Sequence, residues 1–294
     1  MSLPEKKIVR DQDDQVSLKK VVRNYWDEET CGVRYGQGNT GAAFFQSIRD
    51  KRYDLIPYIE KFAGFEHAGG KDLLEIGVGA GTDFENWVKH GARAHGIDLT
   101  QSAIDITRKR LEHSGFDTSK IFLSPGDAEN LQFDSNMMDI VWSWGVLMHT
   151  PDTAKAFTEV FRVLKPGGVF RGMIYAVPSW TGWLLWCRHC LAKGQFFRNS
   201  RWAIYNYLES PGTKAYSNNE IRNLLQGIGF SNIELQRRLS PSDLLNFTPS
   251  KKYNQKAFRL ISTIYPRQLI QLSGNRFGFN LLVEARKPLD GVGR

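Results

Sequence analysis

The chain has 294 residues, of which 41% are hydrophobic and 24% are charged. This balance allows a sizeable core and excludes the disordered and fibrous classes of protein. The formal net charge is +8, but it is unevenly placed: residues 1–170 carry 21 basic and 25 acidic side chains (net −4), and residues 171–294 carry 18 and 6 (net +12). Such an excess either serves solubility or attracts an anionic partner, and here it belongs to the C-terminal part.

Cysteine content and hydropathy bear on the compartment of the protein. The three cysteines, Cys31, Cys187 and Cys190, are too few for a disulfide framework, which favours a reducing compartment. Cys187 and Cys190 have the spacing of half a zinc site, but no second cysteine pair completes it, so no metal is expected. The first fifteen residues lack the apolar region of a signal peptide, and no stretch reaches the roughly 18–20 apolar residues of a membrane span. We therefore expect a cytoplasmic protein.

The N-terminal part is predicted to be a flexible tail followed by a helical cap. Residues 1–15 are polar and mixed in charge, which is typical of a mobile end. Apolar residues then recur at helical spacing over 16–26 and over 42–63. Between these helices, residues 31–41 include four glycines and are predicted to be a loop. We expect 16–70 to form a cap or lid.

From residue 71, short apolar runs alternate with amphipathic ones. The predicted strands are 72–76, 92–97, 120–123, 138–143 and 169–175, and the predicted helices are 83–90, 102–113 and 154–164. This alternation is typical of a parallel sheet covered by helices, and nearly continuous apolar strands indicate burial on both faces. The sequence therefore predicts an α/β fold whose core, residues 71–176, is a doubly wound Rossmann-like sheet.

The alternation stops at Val177, where two insertions begin to interrupt the core. The predicted segments are an aromatic and basic insertion (177–217), a C-terminal part of the core (218–286) with a second insertion (240–275), and a tail (287–294). Within the C-terminal part, the pattern predicts a helix over 218–226 and strands over 232–238 and 279–286. We expect the two insertions to join the N-terminal helices as cap elements on a single α/β domain.

A glycine-rich loop, Gly77-Val78-Gly79-Ala80-Gly81, follows the first predicted strand directly. Glycine permits the backbone angles of a tight strand-to-helix turn and lets a ligand approach the bare backbone, while the helix N-terminus presents free N–H groups. The dinucleotide fingerprint would place its last glycine at the position of Thr82. The loop therefore indicates a nucleotide-type cofactor without that fingerprint.

Acidic residues follow the next two strands. Asp98 ends the second strand, where a carboxylate can accept hydrogen bonds from two ribose hydroxyls. Asp127 follows the third strand, in Gly126-Asp127-Ala128-Glu129, where a short polar side chain can contact an adenine edge.

The sequence resembles the class I S-adenosylmethionine-dependent methyltransferases, and within them the small-molecule branch that includes the ubiquinone and menaquinone enzymes. The matching segments are LEIGVGAGTD (74–83), GIDLT (96–100), GDAENL (126–131), GVLMHTPD (145–152) and RVLKPGG (162–168). The resemblance covers about residues 20–286 and is strong from 71 to 175. It implies seven strands with the last one antiparallel, S-adenosylmethionine as cofactor, S-adenosylhomocysteine as product, and a small organic substrate.

The resemblance also implies a set of cofactor-binding residues, namely Glu75, Gly77, Gly79, Gly81, Asp98, Leu99, Asp127, Ala128, Ser143 and Trp144. The glycine loop and the carboxylate before it would surround the amino-acid end, and the residues after the next two strands would hold ribose and adenine. Three positions depart from the family pattern: Met148, Gln132 and Met138 replace a histidine, a proline and an aromatic residue. None of these departures removes a predicted cofactor contact, so they bear on the identity of the substrate and leave the predicted cofactor unchanged.

Catalysis and substrate binding are assigned to residues outside that set. A sulfonium methyl is already activated, so in-line placement is the main requirement, and a base is needed only for an acceptor that holds a proton. His149, after the fourth strand, is the candidate base; the alternative is that it only packs at the turn. The candidate substrate and lid residues are Tyr25, Trp26, Arg34, Tyr35, Tyr175, Trp180 and Trp183.

The aromatic and basic insertion leaves three interpretations open. It roofs an apolar substrate pocket, which the resemblance favours, or it rests on a membrane surface or a second copy of the chain, or it stacks RNA bases. Dispersed basic residues and the lack of a recognisable RNA-binding module weigh against nucleic acid. The predicted function is methyl transfer to a small organic molecule, apolar or anionic, by a monomer or homodimer. An RNA methyltransferase and a non-catalytic S-adenosylmethionine-binding protein are the alternatives.

Overall fold

Seven strands form one mixed sheet at the centre of the protein. A computed structural model describes residues 12–28, 30–38, 41–247 and 262–289. The strands are β1 (Asp72–Ile76), β2 (Arg93–Asp98), β3 (Phe122–Pro125), β4 (Met138–Trp144), β5 (Leu164–Tyr175), β6 (Ser231–Arg238) and β7 (Asn280–Arg286). Their order is β3-β2-β1-β4-β5-β7-β6, and β7 is antiparallel to both of its neighbours, whereas the other pairs are parallel. The predicted α/β fold with an antiparallel last strand is confirmed.

Ten α-helices lie in the described part of the chain. They are α1 (Gln12–Glu28), α2 (Ala42–Leu55), α3 (Ile59–Ala63), α4 (Thr82–Lys89), α5 (Gln101–His113), α6 (Thr153–Val163), α7 (Trp180–His189), α8 (Ser200–Tyr207), α9 (Asn218–Ile228) and α10 (Arg267–Leu272). None of the helices in the described ranges is long and apolar enough to cross a membrane. The two middle strands, β1 and β4, lie at the point where the strand order reverses, which is where doubly wound sheets bind ligands.

The sheet is buried on both faces, as the continuous apolar strands predicted. Successive residues of β1 enter opposite cores: Leu73 packs in the cluster that contains Trp87, and Leu74 in the one that contains Phe157. All four side chains are fully buried. Because both faces are covered by helices, a ligand can reach this sheet only at the ends of its strands.

Two predicted elements differ from the structure for local reasons. The single helix expected over 42–63 is two helices, and the break falls at Ile56, whose backbone leaves the helical region (φ −135). Pro57 follows it, and a residue before proline is disfavoured in the helical conformation. The fifth strand begins at Leu164 instead of 169: Leu164 pairs with Met138 and Val169 with Ile140, so residues 165–168 form a bulge within the strand.

The predicted tails and the second insertion are only partly described. Residues 1–11 of the tail 1–15 lie outside the described residues, but 12–15 belong to α1, so the tail prediction is wrong there. Residues 290–294 of the C-terminal tail and 248–261 of the second insertion also lie outside the described residues.

Candidate functional site

A cavity of about 930 Å³ lies at the carboxyl ends of β1 to β5, beneath α1. Its lining contains most of the residues that the sequence assigned to a site, namely Tyr25, Trp26, Arg34, Tyr35, Glu75, Gly77, Gly79, Asp98, Leu99, Asp127, Ala128, Trp144, His149 and Tyr175. Gly81, Ser143, Trp180 and Trp183 are not part of this lining. The volume is at the upper end of the range for small-ligand sites.

The glycine loop is a turn that side chains cannot enter. Gly77 has φ +85 and Gly81 has φ +72, both in the left-handed region that favours glycine. A Cβ atom at Gly77 would lie 2.2 Å from Cγ2 of Val146, and one at Gly81 would lie 2.8 Å from Oγ1 of Thr107. Gly77 therefore leaves bare backbone at the cavity, whereas Gly81 serves the packing of the turn.

Glu75 brings a buried carboxylate to the cavity. Its Oε2 atom is buried, and no hydrogen-bond partner for it is found among the described residues. Burial raises the pKa of Glu75 well above its usual value, and the nearby carboxylate of Asp83 acts in the same direction. Asp83 itself is paired with Arg52, whose Nε lies 2.8 Å from Oδ1. An ammonium group of a ligand would pair with the Glu75 carboxylate.

Asp98 is held at the end of β2 by backbone and hydroxyl donors. Its Oδ2 accepts a hydrogen bond from Gly79 N at 3.1 Å, and its Oδ1 accepts from N and Oγ1 of Thr100, both at 3.0 Å. Burial raises its pKa, and these hydrogen bonds oppose that shift. The carboxylate is thus oriented toward the cavity beside the glycine loop, where vicinal hydroxyls of a ligand can bind.

Lys19 connects the helical cap to the segment after β3 that carries Asp127, which we call the adenine corner because adenine is predicted to bind there. Sequence reasoning missed this lysine. Its Nζ lies 2.6 Å from Oδ2 of Asp127 and 2.7 Å from Oε2 of Glu129. It shares one face of α1 with Val22 and Trp26, which also line the cavity. The spacing of these residues, three and four apart, is the signal that would have placed Lys19 on the same helical face.

His149 is fully enclosed at the other end of the cavity. Its Nδ1 lies 2.9 Å from Oγ of Ser210 and 3.0 Å from Oγ1 of Thr213, and its ring contacts Trp26 edge-on. Burial lowers the pKa of His149 to about 3, and the ammonium of Lys214 adds to this effect. The imidazole is therefore neutral at physiological pH.

Glu209 faces His149 from the loop after α8, and sequence reasoning missed it too. Its Oε2 lies 3.6 Å from Nε2 of His149 and accepts a hydrogen bond from the Tyr175 hydroxyl at 2.8 Å. Glu209 is the single carboxylate in the sequence between Glu159 and Glu220. An isolated acidic residue in an otherwise basic, aromatic stretch is the signal that would have drawn attention to it.

The burial of a neutral histidine makes stability depend on pH. In the unfolded chain His149 takes up a proton below about pH 6.5, whereas in the folded state it does so only near pH 3. Stability is therefore lost as the pH falls through this window, by about 1.4 kcal/mol per pH unit. We expect His149→Gln to have a correspondingly shallower loss between pH 6.5 and 5, measured by urea unfolding.

The matched control for this pH dependence is an exposed histidine. His67 is exposed, so His67→Gln should keep the wild-type loss of stability in acid. Equal acid sensitivity of His149→Gln and the wild type would contradict a neutral, buried His149.

Trp180 and Trp183 pack together outside the cavity. Trp180 Nε1 donates to Oγ of Ser273 at 3.1 Å, and the rings of both tryptophans contact Phe277. The first turn of α7 is therefore held against the segment that precedes β7, which removes both indoles from the cavity. Further along, Cys187 is exposed and Cys190 is buried, and no cluster of metal ligands is found in the described part of the chain.

Comparison with known proteins identifies the central part of the chain. Residues 74–171 match the family model of the methyltransferase domain. Phosphoethanolamine N-methyltransferase 2 of Caenorhabditis elegans is 38% identical over 114 residues, which cover 38% of this chain and 25% of that protein. The ubiquinone biosynthesis O-methyltransferase of Coxiella burnetii is 32% identical over 99 residues, which cover 34% of this chain and 41% of that protein. The chain thus matches less than half the length of these relatives.

Residues 74–171 are a class I methyltransferase domain. A solved structure of Haemonchus contortus phosphoethanolamine N-methyltransferase 2 in complex with S-adenosyl-L-methionine has the same fold, with a TM-score of 0.58 and 20% identity. The matching region covers 91% of this chain and 60% of the Haemonchus contortus protein. This similarity makes S-adenosylmethionine the cofactor against which the residues of the cavity are compared.

The residues of the cavity fit this cofactor. The bare backbone of the glycine loop, the unpartnered carboxylate oxygen of Glu75 and the oriented carboxylate of Asp98 lie in the same lining. The bare backbone gives room for the sulfonium amino acid to pack closely. The Glu75 carboxylate is complementary to its ammonium group, and the Asp98 carboxylate is complementary to the hydroxyls of the ribose. The lining therefore contains groups complementary to the ammonium and to the ribose hydroxyls of the cofactor.

Proposed function

We propose that the chain is an S-adenosylmethionine-dependent methyltransferase that acts on a small organic acceptor. The observation that carries this proposal is the continuity of the cavity, which runs from Glu75 and Asp98 to Tyr175 and His149. One end offers the carboxylates and bare backbone of a nucleoside site, and the other offers aromatic walls with a few polar groups. Such a mixture is typical of sites for small molecules.

The residues of the chain hold both ligands in line. S-Adenosylmethionine supplies an activated methyl group on a sulfonium centre. Glu75 would pair with its ammonium, Asp98 with its ribose hydroxyls, and Asp127 with its adenine. Trp144 and Tyr175 would then form the walls against which the acceptor is placed. Positioning of this kind accounts for most of the rate when the leaving group is already activated.

The N-terminal helices would act as a lid over this site. Lys19 fastens α1 to the adenine corner, and Trp26 packs on His149 at the opposite end. Arg34 and Tyr35, in the following loop, line the cavity between these points, with the guanidinium 5.3 Å from the ring centroid. Closing the lid excludes water from the reacting groups, which strengthens every electrostatic contact inside.

The test of this function is binding followed by transfer. Calorimetry should show S-adenosylmethionine binding to the full chain, and incubation with methyl-labelled cofactor and a cell extract should move the label into an organic-soluble small molecule. Failure to bind the cofactor would overturn the proposal. Binding without any transfer would favour the non-catalytic alternative, and label in RNA would favour an RNA substrate.

The charge of the α7–α8 region supports contact with an anionic lipid surface. Phe196 and Phe197 are exposed by 70% and 72%, and Lys193 and Arg198 lie beside them. No acidic residue occurs between Glu159 and Glu209. Exposed aromatic rings bordered by basic residues are the chemistry that inserts into the interface of an anionic bilayer.

Replacing both phenylalanines should therefore weaken membrane binding. We expect Phe196→Ser/Phe197→Ser to bind vesicles with 30% phosphatidylserine at least tenfold more weakly than the wild type in a sedimentation assay. Its cofactor affinity should be unchanged, because the two rings lie outside the cavity lining. Wild-type binding that is no stronger to these vesicles than to neutral ones would contradict the lipid contact.

A further inference from the structure

The loop that follows α8 builds the polar end of the cavity. It carries Glu209, which lines the cavity, and also Ser210 and Thr213, which are fully buried and hold the ring of His149. Glu209 has φ +37, a left-handed conformation that is costly for a residue with a side chain. The strain is tolerated at a point where it aims the carboxylate into the cavity, which is typical of functional positions.

The hydroxyl contacts of His149 determine which ring nitrogen carries the proton. Thr213 Oγ1 donates to the carbonyl oxygen of Ser210 at 2.7 Å, so its hydrogen is already used. Among the described residues, Nδ1 of His149 is the acceptor within reach of the Ser210 hydroxyl, at 2.9 Å. A buried hydroxyl must donate its hydrogen, so Nδ1 accepts and the proton lies on Nε2.

His149 therefore presents a donor to the cavity beside a carboxylate acceptor. Its Nε2 is buried, without a hydrogen-bond partner among the described residues, and lies 3.6 Å from Oε2 of Glu209. That distance is too long for a hydrogen bond between the two atoms. A hydroxyl group within hydrogen-bond reach of both atoms would accept a hydrogen bond from Nε2 and donate one to Oε2.

We propose that this pair is the subsite for a hydroxyl group of the acceptor, with Glu209 as the base and His149 as the donor that positions the acceptor oxygen. This proposal rests on the proposed function and makes it specific to O-methylation. The acceptor oxygen receives a hydrogen bond from Nε2 of His149 and forms its bond to the methyl carbon as the methyl–sulfur bond breaks. The hydroxyl proton passes to the Glu209 carboxylate, so the charge of the sulfonium and that of the carboxylate are both neutralised.

Two other observations agree with this division of roles. The Tyr175 hydroxyl donates a hydrogen bond to the Glu209 carboxylate at 2.8 Å and so orients it. Tyr175 does not itself accept the proton of the acceptor hydroxyl. Burial raises the pKa of Tyr175 well above its usual value, which keeps this phenol protonated. Burial lowers the pKa of His149 to about 3, so its imidazole is a weak base. The carboxylate of Glu209 beside it can accept the proton instead.

The tautomer of His149 is the first test, and it needs no turnover. Long-range ¹⁵N–¹H spectra of the protein labelled at histidine, with His149→Gln to assign the signal, should show the proton on Nε2. The variant Ser210→Ala should move the proton toward Nδ1, because it removes the donor to that nitrogen. A proton on Nδ1 in the wild type would overturn the assignment of His149 as the donor.

The second test compares phenol with anisole, its O-methylated counterpart. On the protein saturated with S-adenosylhomocysteine, we expect phenol to bind about tenfold more tightly than anisole, because only phenol can donate to Glu209. Glu209→Gln should reduce that preference to about threefold or less, and Glu60→Gln, at an exposed position on α3, should keep it. Glu209→Gly is a second variant that also relieves the left-handed backbone.

The outcomes separate this proposal from the proposed function. Loss of S-adenosylhomocysteine binding in the wild type would overturn the methyltransferase proposal itself. Normal binding of that nucleoside, with phenol no better bound than anisole or with the preference retained in both Glu209 variants, would overturn the hydroxyl subsite alone.

Discussion

Replacing Arg110 with leucine is expected to lower the free energy of unfolding by about 3 kcal/mol. Arg110 is 1% exposed, and its guanidinium donates to Oε2 of Glu85 at 2.9 Å and to the carbonyl oxygens of Ala80 and Phe45. The change would leave these buried acceptors without their donor. The expected loss is at the lower end for a broken buried pair because Lys89 still pairs with Glu85. Urea unfolding measures it.

The same substitution should also weaken cofactor binding. Arg110 joins the glycine loop, through Ala80, to α2 of the cap, through Phe45, so its loss frees the loop to move. Lys109→Leu is the matched control, since Lys109 is an exposed neighbour on the same helix. A change of less than about 1 kcal/mol for Arg110→Leu would mean that the surrounding residues rearrange to satisfy the acceptors.

Replacing Asp98 with alanine is expected to weaken S-adenosylmethionine binding by about 1–3 kcal/mol, the usual contribution of hydrogen bonds to a charged group. The carboxylate is fixed by Gly79 and Thr100 at the end of β2, so little entropy is lost when ribose hydroxyls bind to it. Titration calorimetry on the full chain gives the affinity directly.

The control for Asp98 separates the ribose contact from a distorted loop. Asp98→Asn keeps an acceptor for Gly79 and loses the charge, so it should have an intermediate affinity. Asp105→Ala, at an exposed position on α5, should have no effect. Unchanged affinity in Asp98→Ala would contradict the assignment of this residue to the ribose.

The cofactor half of the site could be predicted because it is local in sequence. Each of its groups lies at the carboxyl end of a strand or just after it, as Glu75, Asp98 and Asp127 show, and parallel strands bring these ends together on one side of the sheet. The strand pattern and the residue types were enough to place them together. Their roles in binding remain proposals that the Asp98 experiment tests.

The acceptor half could not be predicted in the same way because it is built from distant segments. His149 follows β4, Glu209 and Ser210 follow α8, and Trp26 belongs to α1, and only folding brings these four residues into contact. The aromatic composition of the insertion suggested that Trp180 would line the same site. The structure turns that indole against Ser273 instead, because packing of the insertion, which no local pattern encodes, decides where its helix faces.

By itself, the sequence determined the α/β sheet, the glycine loop and the polar residues at the strand ends. Periodicity, glycine and strand order are properties of neighbouring residues, so they can be read along the chain. The tertiary structure alone decided that Lys19 fastens the lid, that His149 is buried and neutral, and that Glu209 faces it. These contacts join residues that are between 60 and about 110 positions apart in the sequence. Such residues meet only when the chain folds, so no local pattern reveals the contacts.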